Sequence, residues 1–193
     1  MTHSFLDLTK GLAGCFLMSS PFTTSPAFAQ TVVFICAYSP KEGTMGIVIN
    51  RHIAKPTPKE LLNQLGIKTM PTSNNFSITA GGPIENAHGL VLHTNDWKGK
   101  ESIYVTKQIK LSTSLDILRD LSEGHGPSKA LLALGHANWS PGQLEEELNN
   151  NLWYIAPCQE SILYNKNFKN KWSDCYKSIL TNPRKISLYS GEA

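Results

Sequence analysis

Long hydrophobic runs are missing from this 193-residue chain. No stretch approaches 18 consecutive apolar residues, so the sequence predicts no transmembrane helix and no membrane contact. Charge is scarce, at 17 % Asp, Glu, Lys and Arg, and neither sign dominates: the net charge is +3. A nucleic-acid binder carries a much stronger basic footprint. Cysteine is limited to positions 15, 36, 158 and 175, with no C-x-x-C spacing among them, which argues against a zinc or dithiol site. The nucleophile motifs G-x-S-x-G and S-x-x-K are absent, and so is the phosphate loop G-x-x-x-x-G-K-[ST]. None of the six histidines makes H-x-x-x-H or H-E-x-x-H spacing. The sequence therefore predicts no metal and no cofactor.

What remains is an ordinary globular composition, 40 % hydrophobic, long enough to build a core without disulfides. One domain spanning 1–193 is expected, with its core over about 11–190 and residues 1–10 flexible. Charge is uneven along the chain. Residues 1–164 carry −1, whereas residues 165–193 carry six basic and two acidic side chains, or +4. Lys166, Lys169, Lys171 and Lys177 read as a solvated face, and any nucleic-acid binding through them is expected to be non-specific.

Two stretches near the N-terminus imitate export signals. Leu12-Ala13-Gly14-Cys15 resembles a lipoprotein box, and Ala27-Phe28-Ala29 a signal-peptidase site. Asp7, Thr9 and Lys10 interrupt the first apolar run, and a long polar, Pro-containing spacer separates Gly11–Met18 from the second site. A core strand over Gly14–Ser19 with a Pro-rich loop explains both, and the chain is read as soluble and cytoplasmic with free thiols.

Beyond that loop, strands are expected at Thr31–Tyr38, Met45–Asn50, Phe76–Ala80, Gly89–His93, Ser102–Val105, Lys129–Leu134 and Leu152–Ala156. Thr57-Pro58-Lys59-Glu60 is a capping box opening a helix that Gly66 ends. Ser114 caps a second helix with Leu115, Leu118 and Leu121 inward and Gly124 near its end. Ser140-Pro141-Gly142-Gln143 repeats the capping logic before Gln143–Asn150, whose Glu145, Glu146 and Glu147 suit the helix dipole. Lys169–Leu180 is an amphipathic helix. Several strands follow one another directly, which points to a mixed, largely antiparallel sheet with helices packed on it.

The polar and glycine-rich strand ends are the candidate site: Asn50, Arg51, Gly81, Gly82, Pro83, His93, His136, Asn138, Trp139 and Gln143. They break the apolar pattern where a sheet has its rim. Asn50-Arg51, Gly81-Gly82-Pro83 and Gly135–Gln143 are expected to lie together, with Arg51 pairing to a Glu of the third helix or to an anion. Trp139 is either the wall of a cleft or a core residue, and Ser140, Pro141 and Gln143 are accounted for by capping alone.

Gly43-Thr44-Met45-Gly46-Ile47-Val48-Ile49-Asn50-Arg51, Gly81-Gly82-Pro83-Ile84, Gly89-Leu90-Val91-Leu92-His93, Leu134–Leu148 and Asn151-Leu152-Trp153 together resemble the AlgH/YqgE-like family of bacterial proteins. The resemblance is collinear from about residue 11 to residue 190. It implies a single α/β domain of α+β type whose bent sheet forms a pseudo-barrel flanked by helices, with Gly11–Gln30 as the family's first strand and loop. His52 and His136 depart from it, standing where the family has Pro and an aromatic residue. It supplies no catalytic residues, and one member's name comes from a proposed role in regulating transcription of exopolysaccharide genes.

The leading expectation is a non-enzymatic binding or regulatory protein, possibly linked to transcription, with a protein partner or small ligand, acting as a monomer or weak oligomer. The alternatives are an enzyme with a non-local site around Arg51, His93, His136 and Asn138, and a weak DNA binder using the basic tail.

Overall fold

The computed structural model describes residues 11–23, 25–26, 28–68, 76–99 and 101–180. They form two compact units. One runs to residue 46 and resumes at 138; the other is 47–137. The fold is mixed α/β, with largely antiparallel strands flanked by helices.

In the first unit, β1 (Cys15–Ser19) lies between β2 (Val32–Ser39) and β9 (Trp153–Pro157), antiparallel to both. All five β1 residues are buried, and Phe16 sits edge-on to its register partner Phe34. Of the segment that imitates a lipoprotein box, Leu12 and Cys15 are buried, as are Phe16, Leu17 and Met18 after it, whereas Ala13 is exposed and Gly14 half-buried. The described residues of this unit also form the α-helices α3 (Gln143–Asn149), α4 (Glu160–Leu163) and α5 (Lys171–Leu180).

The second unit has strand order β6 (Ser102–Tyr104), β7 (Ile109–Ser112), β5 (Ile84–Thr94), β8 (Ala130–Trp139), with β4 (Phe76–Ala80) parallel to β8 on its other side. Its core gathers Leu62 from α1 (Pro58–Gln64) and Ile117, Leu118 and Leu121 from α2 (Leu115–Glu123). These join Ile78, Val91, Trp97 and Leu132. Both helix starts follow the expected chemistry. Thr57 and Glu60 form the reciprocal capping box, Ser114 caps α2, and Gly124 closes it in the left-handed conformation.

Four expectations need correcting. Gly135 does not end its strand: β8 kinks there at φ +76° and runs on to Trp139. Ser140 does not cap α3; Gly142 does, at φ +80° with no side-chain bond, while the side-chain Oε1 of Gln143 accepts the Ser140 N–H. Leu115 is half-exposed, since only Leu118 and Leu121 lie on the inward stripe with Ile117. Lys171, expected in solvent, is 1 % exposed. The third strand is β3, Gly43–Val48.

Candidate functional site

Arg51, Gly81, Gly82 and His136 all belong to the second unit, and main-chain bonds tie them together. The Gly81 N–H donates to the Leu134 carbonyl, and the Gly81 carbonyl accepts from Val48 N–H, both at 2.8 Å. Ala80 N–H donates to the Arg51 carbonyl at 2.8 Å. Thr79, fully buried, completes the tie. Its hydroxyl accepts from the Arg51 N–H and lies 3.0 and 3.1 Å from the Val48 and Arg51 carbonyls. His52 bridges to Thr79 as well.

The glycines are there because backbones cross. A Cβ on Gly81 would stand 2.1 Å from the Gly135 carbonyl oxygen, and one on Gly82 the same distance from the His136 carbonyl. Gly135 returns the constraint: its Cβ would meet the carbonyls of Gly82 and Ile84 at 2.6 and 2.8 Å. These are distances that no real Cβ tolerates, so close approach explains these residues.

From this crossing β5 leaves as an exposed arm. Ile84 pairs with His136, and regular pairing resumes only at Gly89 opposite Leu134. Ile84 to His88 are all exposed, Glu85 turns at φ +50°, and His88 stands 3.9 Å from Glu85. Asn50 is half-buried, Arg51 and Pro83 are exposed, and His136 is buried beside Gly82.

His93 is not part of this rim. It pairs with Ala130, six residues along β8 from His136, or roughly 20 Å at strand spacing. Along β8, His93 and His136 therefore stand at separate positions, and the register does not bring them side by side. His93 is fully buried. Its Nδ1 lies 2.8 Å from the Thr94 carbonyl, its Nε2 2.9 Å from the Ser112 hydroxyl, and Trp97 packs edge-on at 5.5 Å. Burial, with Lys110 nearby, lowers its pKa and keeps the ring neutral.

Asn138, Trp139 and Gln143 belong to the first unit. Trp139 is buried, so it is a core residue of that unit. Glu147 gathers it in: one carboxylate oxygen accepts the indole N–H of Trp139 at 2.8 Å and of Trp153 at 2.7 Å, and the other accepts from Gln143 at 2.9 Å. Glu145 accepts from the Tyr38 hydroxyl at 2.7 Å. The acidic helix thus spends two of its carboxylates inside its own unit.

Among the described residues no group of three His, Cys, Asp or Glu is placed to hold a metal ion. All four cysteines are free thiols. Burial pushes Cys15 up to about 11 and Cys158 and Cys175 to about 12, so none is a ready nucleophile. No helix among the described residues is long and apolar enough to cross a membrane.

The AlgH-like family pattern matches residues 16–184. A UPF0301 protein of Gluconobacter oxydans is 41 % identical over 184 residues, covering 95 % of this chain and 98 % of that one. Another, of Sinorhizobium medicae, is 39 % identical over 188 residues, covering 94 % and 93 %. The solution structure of the AlgH protein from Pseudomonas aeruginosa matches over 100 % of both chains, with a TM-score of 0.76 and 30 % identity. A crystal structure of a protein from Corynebacterium diphtheriae, at TM-score 0.70 and 20 % identity over 100 % of this chain and 95 % of that one, shares the fold. Sequence and fold agree along the whole length: the chain belongs to the AlgH-like family of UPF0301 proteins.

Proposed function

We propose that this chain is a binding and regulatory protein whose recognition surface is the rim of the second unit. The observation that supports this is that one frame carries two exposed elements: the arm Ile84–His88, which leaves it at the pairing of Ile84 with His136, and Arg51, whose carbonyl accepts the Ala80 N–H. The frame is rigid because its glycine backbones touch and its buried Thr79 is hydrogen-bonded on every side. The side chains it presents are of mixed kind: apolar Ile84, cationic Arg51, acidic Glu85 and His88. A small molecule is usually held in a concave pocket that covers most of its surface. An open strip with apolar and charged groups side by side suits a protein partner better. Any part in gene regulation would run through such a partner, since the body of the chain carries −1 and offers DNA little.

The test is affinity purification of the tagged full-length chain from its native cell, beside an Arg51→Glu/Ile84→Asp double variant. Both side chains are exposed, so the variant is expected to fold. The proposal expects a discrete partner with the unaltered chain and its loss with the variant. Equal recovery by both chains contradicts a role for the rim.

A further inference from the structure

Three strands at the edge of the second unit carry a polar track that the rim does not use. Antiparallel register puts Ser102, Ser112 and Val91 in one row and Tyr104, Lys110 and His93 in the next, all on one sheet face. Ser102 is half-buried on β6, the edge strand, while Ser112 and His93 lie progressively inside. Their hydrogen bonds form an unbroken chain. Ser102 Oγ is 2.7 Å from Ser112 Oγ, which is 2.9 Å from His93 Nε2, and His93 Nδ1 is 2.8 Å from the Thr94 carbonyl.

The direction of this chain is forced. A carbonyl can only accept, so Nδ1 carries the ring proton and Nε2 is the acceptor. Ser112 must then donate to Nε2, and its oxygen is free to accept from Ser102. Every proton points inward, from the accessible hydroxyl to an unprotonated imidazole nitrogen. A nucleophile, a base and a group that orients the base are the elements of an activated serine.

We propose that Ser102 is a reactive serine that accepts an acyl group from a small activated ester, with Ser112 and His93 as its proton relay. Ser102 Oγ forms a bond to the acyl carbon as the bond from that carbon to the leaving group breaks. The Ser102 proton passes to the Ser112 oxygen while the Ser112 proton passes to His93 Nε2. The imidazolium returns a proton to the leaving group through the same relay, and water releases the acyl group by the reverse path. Lys110 supplies positive charge on the same face: its ammonium donates to the Trp97 carbonyl at 3.3 Å and sits 4.5 Å from the centre of the Tyr104 ring.

The charged groups around His93 set its pH behaviour. Lys110 from β7 disfavours the imidazolium and Asp96 favours it; Asp96 is itself bound by Thr94 and Ser128. From α2, Asp120 reaches the same neighbourhood through the indole N–H of Trp97 at 2.7 Å. Burial is the largest of these influences, and it holds the His93 pKa below its ordinary value of 6.5.

The experiment uses the full chain and a fluorophosphonate probe, which loses fluoride on attack by an activated serine, with the labelled peptide mapped by mass. Labelling at Ser102 is expected, with its rate rising with pH and the midpoint of that rise below the ordinary histidine value of 6.5. Ser102→Ala, at an edge position, abolishes it. Ser112→Ala slows it roughly 100-fold by cutting the relay, and Ser112→Thr restores most of the rate, since it keeps the hydroxyl. Absence of labelling, labelling elsewhere, or labelling that Ser112→Ala leaves unchanged would each overturn the proposal. Any of those results would reduce the track to hydroxyls that satisfy a buried histidine.

Discussion

Lys171 shows how far one side chain can depart from its sequence neighbourhood. It lies among Lys166, Lys169 and Lys177, yet it is 1 % exposed, with its ammonium 2.7 Å from the Leu163 carbonyl and 4.5 Å from the centre of the Phe168 ring. Burial pushes its pKa down from 10.5 to about 7. Unfolding returns it to the ordinary value, so between about 7 and 10.5 the unfolded chain holds a proton that the folded chain lacks. Stability from this residue rises with pH across that window. The buried thiols act oppositely, because their raised folded pKa values cost stability once pH passes their unfolded value of 9.0. The melting temperature should therefore climb from pH 7 to pH 9, and a Lys171→Met variant should lose that climb. An equal climb in both chains would assign it to another group. Glu147 is the second residue whose role depends on its partners. Glu147→Leu leaves two indole N–H groups without their acceptor, at roughly 1–3 kcal/mol each. Trp139→Ala should cost about 3–5 kcal/mol as a core truncation. Denaturant titration reads both, and a loss below about 1 kcal/mol for Trp139→Ala would place its ring outside the core.

At the scale of elements, what the sequence reveals is whatever is written locally. The α1 capping box, the Ser114 and Gly124 ends of α2 and the buried β1 are all legible because their signals lie within a few residues. Gly135 misleads for the same reason. As a local signal it reads as a strand end, but its cause is non-local: the Gly82 and Ile84 carbonyls cross it, and the strand continues. The β7 strand escapes notice because Ile109-Lys110-Leu111-Ser112 is four residues long and its two polar members are buried. With β7 unread, Ser112 and Lys110 could not be placed beside His93. The rim is legible in part, since polar strand ends mark Arg51 and Gly81-Gly82, which main-chain bonds join, whereas nothing local tells that Trp139 and Gln143 belong to the other unit. The glycines allow a direct comparison. Gly81→Ala forces a Cβ against the Gly135 carbonyl and should destabilise by about 1–3 kcal/mol or more. Gly142→Ala, at φ +80° with nothing within 4 Å, meets only the left-handed backbone penalty of roughly 1–2 kcal/mol. Should Gly142→Ala prove the more damaging in urea titrations, the backbone crossing would not be what requires glycine at position 81.

For the whole molecule, family membership extends over residues 16–184, and the fold matches the AlgH structure over the whole of both chains. Its charge distribution limits what it can contact unaided. With +3 overall, its basic surplus lies after residue 164. Binding to mixed-sequence DNA should fade steeply as salt rises toward 200 mM, because few phosphates are neutralised and few counterions released. A sequence-selective shift that survives such salt would make DNA a direct ligand. Partner recognition by the rim is the central claim, and photocrosslinking in the native cell tests it most directly. A benzophenone amino acid replaces Ile84 on the exposed arm, and in a control it replaces Gln143 in the first unit. The account predicts a discrete crosslinked species from position 84 that disappears with Arg51→Glu, and none from position 143. A species from 143 alone, or one from 84 that persists with Arg51→Glu, would contradict it.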